Sequence, residues 1–324
     1  MSWQTLDTIP IFLACRVPPA RAAAVRAALQ RRIVPLLVAR QCRLEPLATG
    51  ALCTDSGRTF LLTCRHALDE GVALDDLVVP LSDSRVLWLR DAHPRAFVHP
   101  LRDLALIELR GGVARLLAQH YRAVPLAAGG IDECGASRAT NNDARQVKAI
   151  RPLSARTRGT GGAGGARIAV LAGFPYAQMR RVDGVLYARP LVAFVSLPTD
   201  SSPAQSSGSS ADISLSTNGV EALSTDRARR QGAATSERGV RRDRAADVYL
   251  VYPRIAMRAD GVEIHAPELD GVSGAMLWTV HDESADGIGC VLRASGVQVA
   301  FKPGAYARAE PLMALRELLQ RVRA

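Results

Sequence analysis

Leu47-Ala-Thr-Gly-Ala-Leu-Cys53, Asp55-Ser-Gly-Arg58 and Thr59-Phe-Leu-Leu-Thr63 form one pattern near the start of the chain. Two apolar runs flank a short turn that contains glycine, the signature of a β-hairpin. Ile33-Val-Pro-Leu-Leu-Val-Ala39 reads as a strand before the hairpin. Leu77–Leu81, Val86–Leu89, Ala96–Val98 and Leu104–Leu109 read as strands after it. Strands this closely spaced, with turns between them, predict a small antiparallel barrel.

A second group of strand signals follows at Ile168–Ala172, Gly184–Tyr187, Leu191–Leu197, Val248–Tyr252, Gly261–His265, Ala275–Thr279, Gly289–Leu292 and Gly296–Phe301. Between the groups, residues 129–165 are rich in Gly, Ala, Arg and Asn and contain Gly159-Thr-Gly-Gly-Ala-Gly-Gly165. The lysine and following Ser or Thr of a phosphate loop are missing, so the stretch reads as a flexible connector. Residues of about 199–246 are rich in Ser, Ala, Arg and Asp. Such a segment buries too little apolar surface to offset its ordering entropy and is expected as a disordered surface insertion. Pro18-Pro19 followed by Ala20–Arg32 predicts a helix, and Leu312, Leu315, Leu318, Leu319 and Val322 follow helical spacing near the other end.

The chain has 324 residues, of which 48% are hydrophobic and 5% aromatic, so Leu, Val and Ala must fill most of the core. The net charge is +10, nearly all of it arginine, since Lys148 and Lys302 are the only lysines. Arginine and alanine are abundant everywhere, and no stretch interleaves basic with aromatic residues as a base-stacking platform would. No nucleic-acid partner is expected. The six cysteines (Cys15, Cys42, Cys53, Cys64, Cys134 and Cys290) show no disulfide framework, and no CxxC or His-rich spacing suggests a metal. No cofactor is expected either. Ile9-Pro-Ile-Phe-Leu-Ala-Cys15 is apolar, but it lacks a basic region before it and is too short for a leader. No run reaches the length of a membrane span. The expectation is a soluble, cytoplasmic protein without a membrane partner.

Three segments carry the chemistry of acyl transfer by a serine. That reaction needs a hydroxyl to attack, an imidazole to take its proton, a carboxylate to orient the imidazole, and backbone N–H groups facing the oxyanion. His66 directly follows an apolar strand in Phe60-Leu-Leu-Thr-Cys-Arg-His66-Ala-Leu68. Asp103 opens the strand-like Arg102-Asp-Leu-Ala-Leu-Ile-Glu-Leu109. Ser273 lies in Pro267-Glu-Leu-Asp-Gly-Val-Ser273-Gly-Ala-Met-Leu-Trp278, where glycines permit a tight turn that aims the N–H groups of Gly271 and Ser273 at one point. Taken singly, these are equally a turn histidine, a capping aspartate and a Gly-Ser-Gly turn. An α/β-hydrolase elbow would need glycine at position 275 and a helix after it, and neither is present.

Taken together, in the order His, Asp, Ser and each in a strand context, the segments resemble trypsin-like serine peptidases of the bacterial type over roughly residues 33–322. His66 matches Thr-Ala-x-His with Cys64 in place of the usual alanine, Asp103 matches Asp-x-Ala-Leu-x-x-Leu, and Ser273 matches Gly-x-Ser-Gly-Gly with Ala275 replacing the last glycine. Ala172-Gly-Phe-Pro175, Gly296-Val-Gln-Val-Ala-Phe301 and Lys302-Pro-Gly-Ala-Tyr306 resemble further segments of the second barrel. The resemblance implies an all-β fold of two antiparallel six-stranded barrels, with a short N-terminal helix and a C-terminal helix. It divides the chain into an N-terminal helical extension (1–32), a first barrel (33–128), the connector (129–165), a second barrel (166–308) holding the insertion, and a terminal helix (309–324).

The implied activity is serine endopeptidase, acting on protein or peptide substrates through an acyl-enzyme. A catalytically weak or inactive binding module on the same fold is the alternative. His66, Asp103 and Ser273 would be catalytic, Gly271 and Ser273 would form the oxyanion hole, and Val299, Ala300 and Phe301 would pair with substrate. The base of the specificity pocket would lie among His265–Leu269, with Glu268 a candidate contact for a basic side chain. Arg32-Ile33-Val34 is similar to a zymogen cleavage site, but Val272 stands where that mechanism needs an aspartate, so Ile33 and Val34 are expected as plain strand.

Overall fold

The apolar runs do become strands. The computed structural model describes residues 2–6, 9–15, 17–41, 43–69, 71–126, 168–197, 247–282 and 290–323. The connector and the insertion lie outside the described residues. The first part of the chain forms β1 (Ser2–Thr5), β2 (Ile11–Leu13), α1 (Pro19–Leu29), β3 (Val34–Arg40), β4 (Arg43–Asp55), β5 (Arg58–Thr63), α2 (His66–Asp69), β6 (Leu77–Pro80), β7 (Val86–Trp88), β8 (Arg95–Val98), β9 (Ala105–Leu109), α3 (Gly111–His120) and β10 (Val124–Pro125). The second part forms β11 (Ile168–Gly173), β12 (Met179–Val182), β13 (Val185–Ala188), β14 (Leu191–Ser196), β15 (Val248–Val251), β16 (Ile255–Arg258), β17 (Glu263–His265), β18 (Met276–Asp282), β19 (Cys290–Lys302), β20 (Tyr306–Pro311) and α4 (Leu312–Arg323).

The hairpin forms as expected. Ser56 and Gly57 both have positive φ, 48° and 75°, the two-residue turn whose twist matches a right-handed strand pair. Around it lies a curled eight-stranded sheet in the order β7-β6-β3-β4-β5-β9-β8, with β10 parallel to β4. The run β6-β3-β4-β5 is a Greek key. Strand β4 pairs with β3 through its first residues and with β5 through its last, and so carries the bend of the sheet.

The second sheet has nine strands in the order β15-β20-β19-β18-β11-β14-β2-β16-β17. It curls until β14 and β15 touch. A small third sheet, β1-β13-β12, completes the set.

The fold is thus mostly β with two curled, half-barrel sheets, and it departs from six antiparallel strands in each. Residues 1–32 hold more than a helix, because β2 joins the second sheet parallel to β14 and β1 pairs with β13. A three-residue strand is too short for alternation to reveal it in sequence. The strand signals ending at Leu292 and beginning at Gly296 are one strand, β19, which starts at Cys290, and Gly296 is not a break. A Cβ there would lie 2.5 Å from the Glu310 carbonyl oxygen, so glycine serves the close approach of β20. The terminal helix starts at Leu312, after β20 has run to Pro311.

Apolar side chains gather in three cores. One lies inside the first sheet (Leu36, Leu52, Leu61, Ile107) and one inside the second (Leu171, Val195, Leu277, Ala309). The third spans elements of both sheets and both long terminal helices (Leu29, Leu37, Phe60, Phe194, Trp278, Leu318). Val299 of β19 packs into the first-sheet core, so a strand of the second sheet reaches the first.

Candidate active site

His66 begins α2 directly after β5, and the turn preceding β9 presents Asp103 to it. The His66 backbone N–H donates to Asp103 Oδ1 at 2.9 Å, and His66 Nδ1 lies 2.7 Å from Asp103 Oδ2. Both carboxylate oxygens therefore hold one residue, fixing the ring. The His66 side chain is 45% exposed and can be reached from outside, while Asp103 is 23% exposed. Burial disfavours the charged imidazolium, but the hydrogen bonds to Asp103 and Cys64 outweigh it and raise the His66 pKa from 6.5 to about 10. Burial likewise works to raise Asp103, and its bonds with His66 overcome that and hold it below the usual carboxylate range.

Polar groups unforeseen in the sequence support this pair. Glu310 of β20, buried, accepts the Asp103 N–H at 3.4 Å and pairs with Arg102 at 3.3 Å. Arg102 also meets Asp247 at 2.5 Å. His99, 2% exposed, accepts the N–H groups of Leu101 and Arg102 at 3.2 and 3.1 Å and lies 3.3 Å from Glu317 of α4. The turn carrying Asp103 is thus tied to β20 and to the last helix. In sequence these residues look like ordinary surface charge; only their burial distinguishes them.

Ser273 sits in the loop before β18. Gly271 and Gly274 flank it with φ of 90° and 91°, a region that suits glycine. Space forbids a side chain as well. A Cβ on Gly271 would lie 2.4 Å from the Tyr176 ring, and one on Gly274 would lie 2.2 Å from Thr49 O, 2.4 Å from Thr63 Oγ1 and 2.9 Å from Cys64 N. The serine loop is therefore seated against the end of β5, two residues before His66. Ala275, which replaces the last glycine of the motif, buries its methyl in the second-sheet core. Val272 packs there too, and Ile33 and Val34 are buried, with Val34 opening β3.

Thr49 stitches the loop to the first sheet. Its hydroxyl donates to Gly271 O at 2.8 Å and accepts the Phe174 N–H at 2.9 Å, while its own N–H donates to Ser273 O at 3.0 Å. Thr63 donates to Thr49 O at 3.1 Å. The one signal in sequence was a threonine inside an apolar strand run, a polar group that has to find partners when buried.

The Ser273 hydroxyl makes a long contact of 3.5 Å to the Val299 carbonyl oxygen. His66 Nε2 lies 3.4 Å from Cys64 Sγ. Among the described residues, the N–H groups of Gly271 and Ser273 meet no acceptor. Pairing of β19 with β18 ends at Val297 with Met276, whereas β20 continues alongside Ala300 and Phe301. Among the described residues no strand pairs with that edge of Val299–Phe301, beside Ser273. Next to it lies a cavity of about 380 Å³, lined by Tyr252, Arg254, His265, Glu268, Phe301 and Gly304 among others. His265 to Glu268, within the stretch where a pocket base is expected from sequence, and Phe301 thus line the same cavity.

Gln298 was not anticipated. It is 0% exposed, and among the described residues neither atom of its side-chain amide finds a partner. Cys15, Cys53 and Cys64 are free thiols. Among the described residues no helix is long and apolar enough to cross a membrane, and no three His, Cys, Asp or Glu side chains gather as a metal site. No protein-family model and no curated protein matches the chain.

Proposed function

We propose that the chain is a serine endopeptidase of the trypsin-like, double-barrel type. The observation that carries the reading is the doubly hydrogen-bonded His66–Asp103 pair, with the Ser273 loop seated two residues away on Cys64. Nδ1 of His66 stays on Asp103 and fixes the tautomer. Nε2 takes the proton as Ser273 Oγ attacks the peptide carbonyl carbon. The negative charge that develops on the carbonyl oxygen is met by the unengaged N–H groups of Gly271 and Ser273. One such donor typically supplies about 3–4 kcal/mol. The tetrahedral adduct collapses, the amine leaves with the His66 proton, and water then releases the acyl group by the same steps in reverse. An extended substrate pairs along the open edge of Val299–Phe301, and its side chain enters the neighbouring cavity. No nucleic acid takes part.

One observation favours the alternative, a silent binding module: the Ser273 hydroxyl faces Val299 O, and Nε2 faces sulfur. A fluorophosphonate probe separates the two. Covalent labelling of the intact chain and none of Ser273→Ala supports the peptidase; equal labelling of both refutes it.

A further inference from the structure

With Nδ1 committed to Asp103, Nε2 is the one ring nitrogen of His66 left for proton transfer, and Cys64 Sγ lies 3.4 Å from it. Both protonation states of the ring preserve this contact. A neutral ring accepts the S–H, and an imidazolium donates its Nε2–H to the sulfur. Cys64 is fixed in place. It is 0% exposed within the first-sheet core, and its backbone N abuts Gly274. Close-packed surroundings leave its side chain little room to withdraw. Ser273 meanwhile makes its long contact with Val299 O, on the strand whose open edge faces the groove.

We infer that Cys64 is a positioning residue that keeps the base of the resting site engaged, so that His66 Nε2 becomes available to Ser273 only when its contact with sulfur is given up. The inference rests on the peptidase reading and adds to it a control of the same site. A substrate strand along β19 offers an N–H to Val299 O and displaces the serine hydroxyl, which can then turn to Nε2. The charged and titratable groups that bear on His66 are Cys64 at the end of β5 and Asp103 before β9, with Glu310 and Arg308 of β20 and Arg102 behind the carboxylate.

The test uses the full chain with Cys64→Ala and Cys64→Ser, both checked for a folded melting transition. Two readouts are taken between about pH 5 and 11.5: the rate of fluorophosphonate labelling, and the NMR titration of the His66 imidazole, assigned by loss of its signal in His66→Asn. Cys64→Ala is expected to label about fivefold faster, the rate equivalent of one ordinary hydrogen bond released. Its His66 titration moves down in pH, while Cys64→Ser, which keeps a hydrogen-bonding group, stays near the unaltered chain. An unchanged labelling rate with an unmoved His66 titration in Cys64→Ala overturns the inference. If no variant labels above the Ser273→Ala background, the peptidase reading fails, and the NMR titration alone still decides whether Cys64 holds Nε2.

Discussion

Thr49→Val removes one oxygen atom and keeps the shape of the side chain, so its effect isolates the stitch between the first sheet and the serine loop. Thr49 is 0% exposed, and its hydroxyl serves the Gly271 carbonyl at 2.8 Å and the Phe174 N–H at 2.9 Å. Valine leaves both backbone groups buried without that partner. Each such loss costs about 1–3 kcal/mol, and the two share one residue, so the expected destabilisation is about 2–4 kcal/mol. For a folded unit of this size that is a fall in Tm of roughly 5–15 °C. The effect on chemistry is separate. Gly271, whose N–H is one of the two proposed oxyanion donors, is held through its carbonyl by Thr49, so loosening the residue displaces that N–H and fluorophosphonate labelling slows by roughly tenfold or more. Thermal unfolding and labelling rate, measured on the same preparation, check both parts. Stability within about 0.5 kcal/mol of the unaltered chain, together with an unchanged labelling rate, would refute the role given to Thr49.

Because His66 titrates near 10 in the folded chain and near 6.5 otherwise, its pairing stabilises fully below pH 6.5 and loses its contribution as pH climbs toward 10. Labelling of Ser273 is expected to rise as the pH approaches and passes 10, where the base of the folded chain loses its proton. Asp103→Asn flattens both profiles, and a stability that increases with pH there contradicts the assignment. Gln298→Met is expected to stabilise the chain by about 1–2 kcal/mol in urea unfolding, because it removes a buried amide whose two polar atoms have no partner among the described residues; a lower midpoint counts against this. Gly274→Ala should unfold the site or cost more than about 3 kcal/mol, since it combines a strained φ with a collision against Thr49 O. Ala275→Gly should cost about 1 kcal/mol or less, so equal melting temperatures for the two variants would disprove the packing argument.

The parts of this fold that are legible in sequence are those with local causes. The β4–β5 hairpin follows from two apolar runs and a glycine turn, and α4 from its leucine spacing. The meeting of His66 with Asp103 is what the resemblance of their two segments implies, and the β5–β9 pairing sets those segments side by side. What stayed hidden has distant causes. Strand β2 is three residues long and exists because β14 and β16 offer edges to it. Glu310 becomes an acceptor for Asp103 through the β19–β20 turn and the seating of one sheet on the other, and no pattern around Glu310 announces it. Thr49 sits in plain apolar strand sequence, and the arrival of the Ser273 loop gives its polar atoms their partners, while Cys64 follows an apolar strand and its sulfur gains a partner where the next turn brings His66 Nε2 to it.

The parallel bond between Ile11–Leu13 and Val192–Phe194 has a consequence for how the chain is made. These partners are separated by roughly 180 residues, and parallel pairings of such long loop closure are slow to form. On the ribosome, the hairpin and its Greek key can collapse as soon as they emerge, while β2 has to wait, unpaired, for a strand not yet translated. A nascent chain halted before Leu191 therefore carries an exposed apolar strand that a chaperone or a protease can seize.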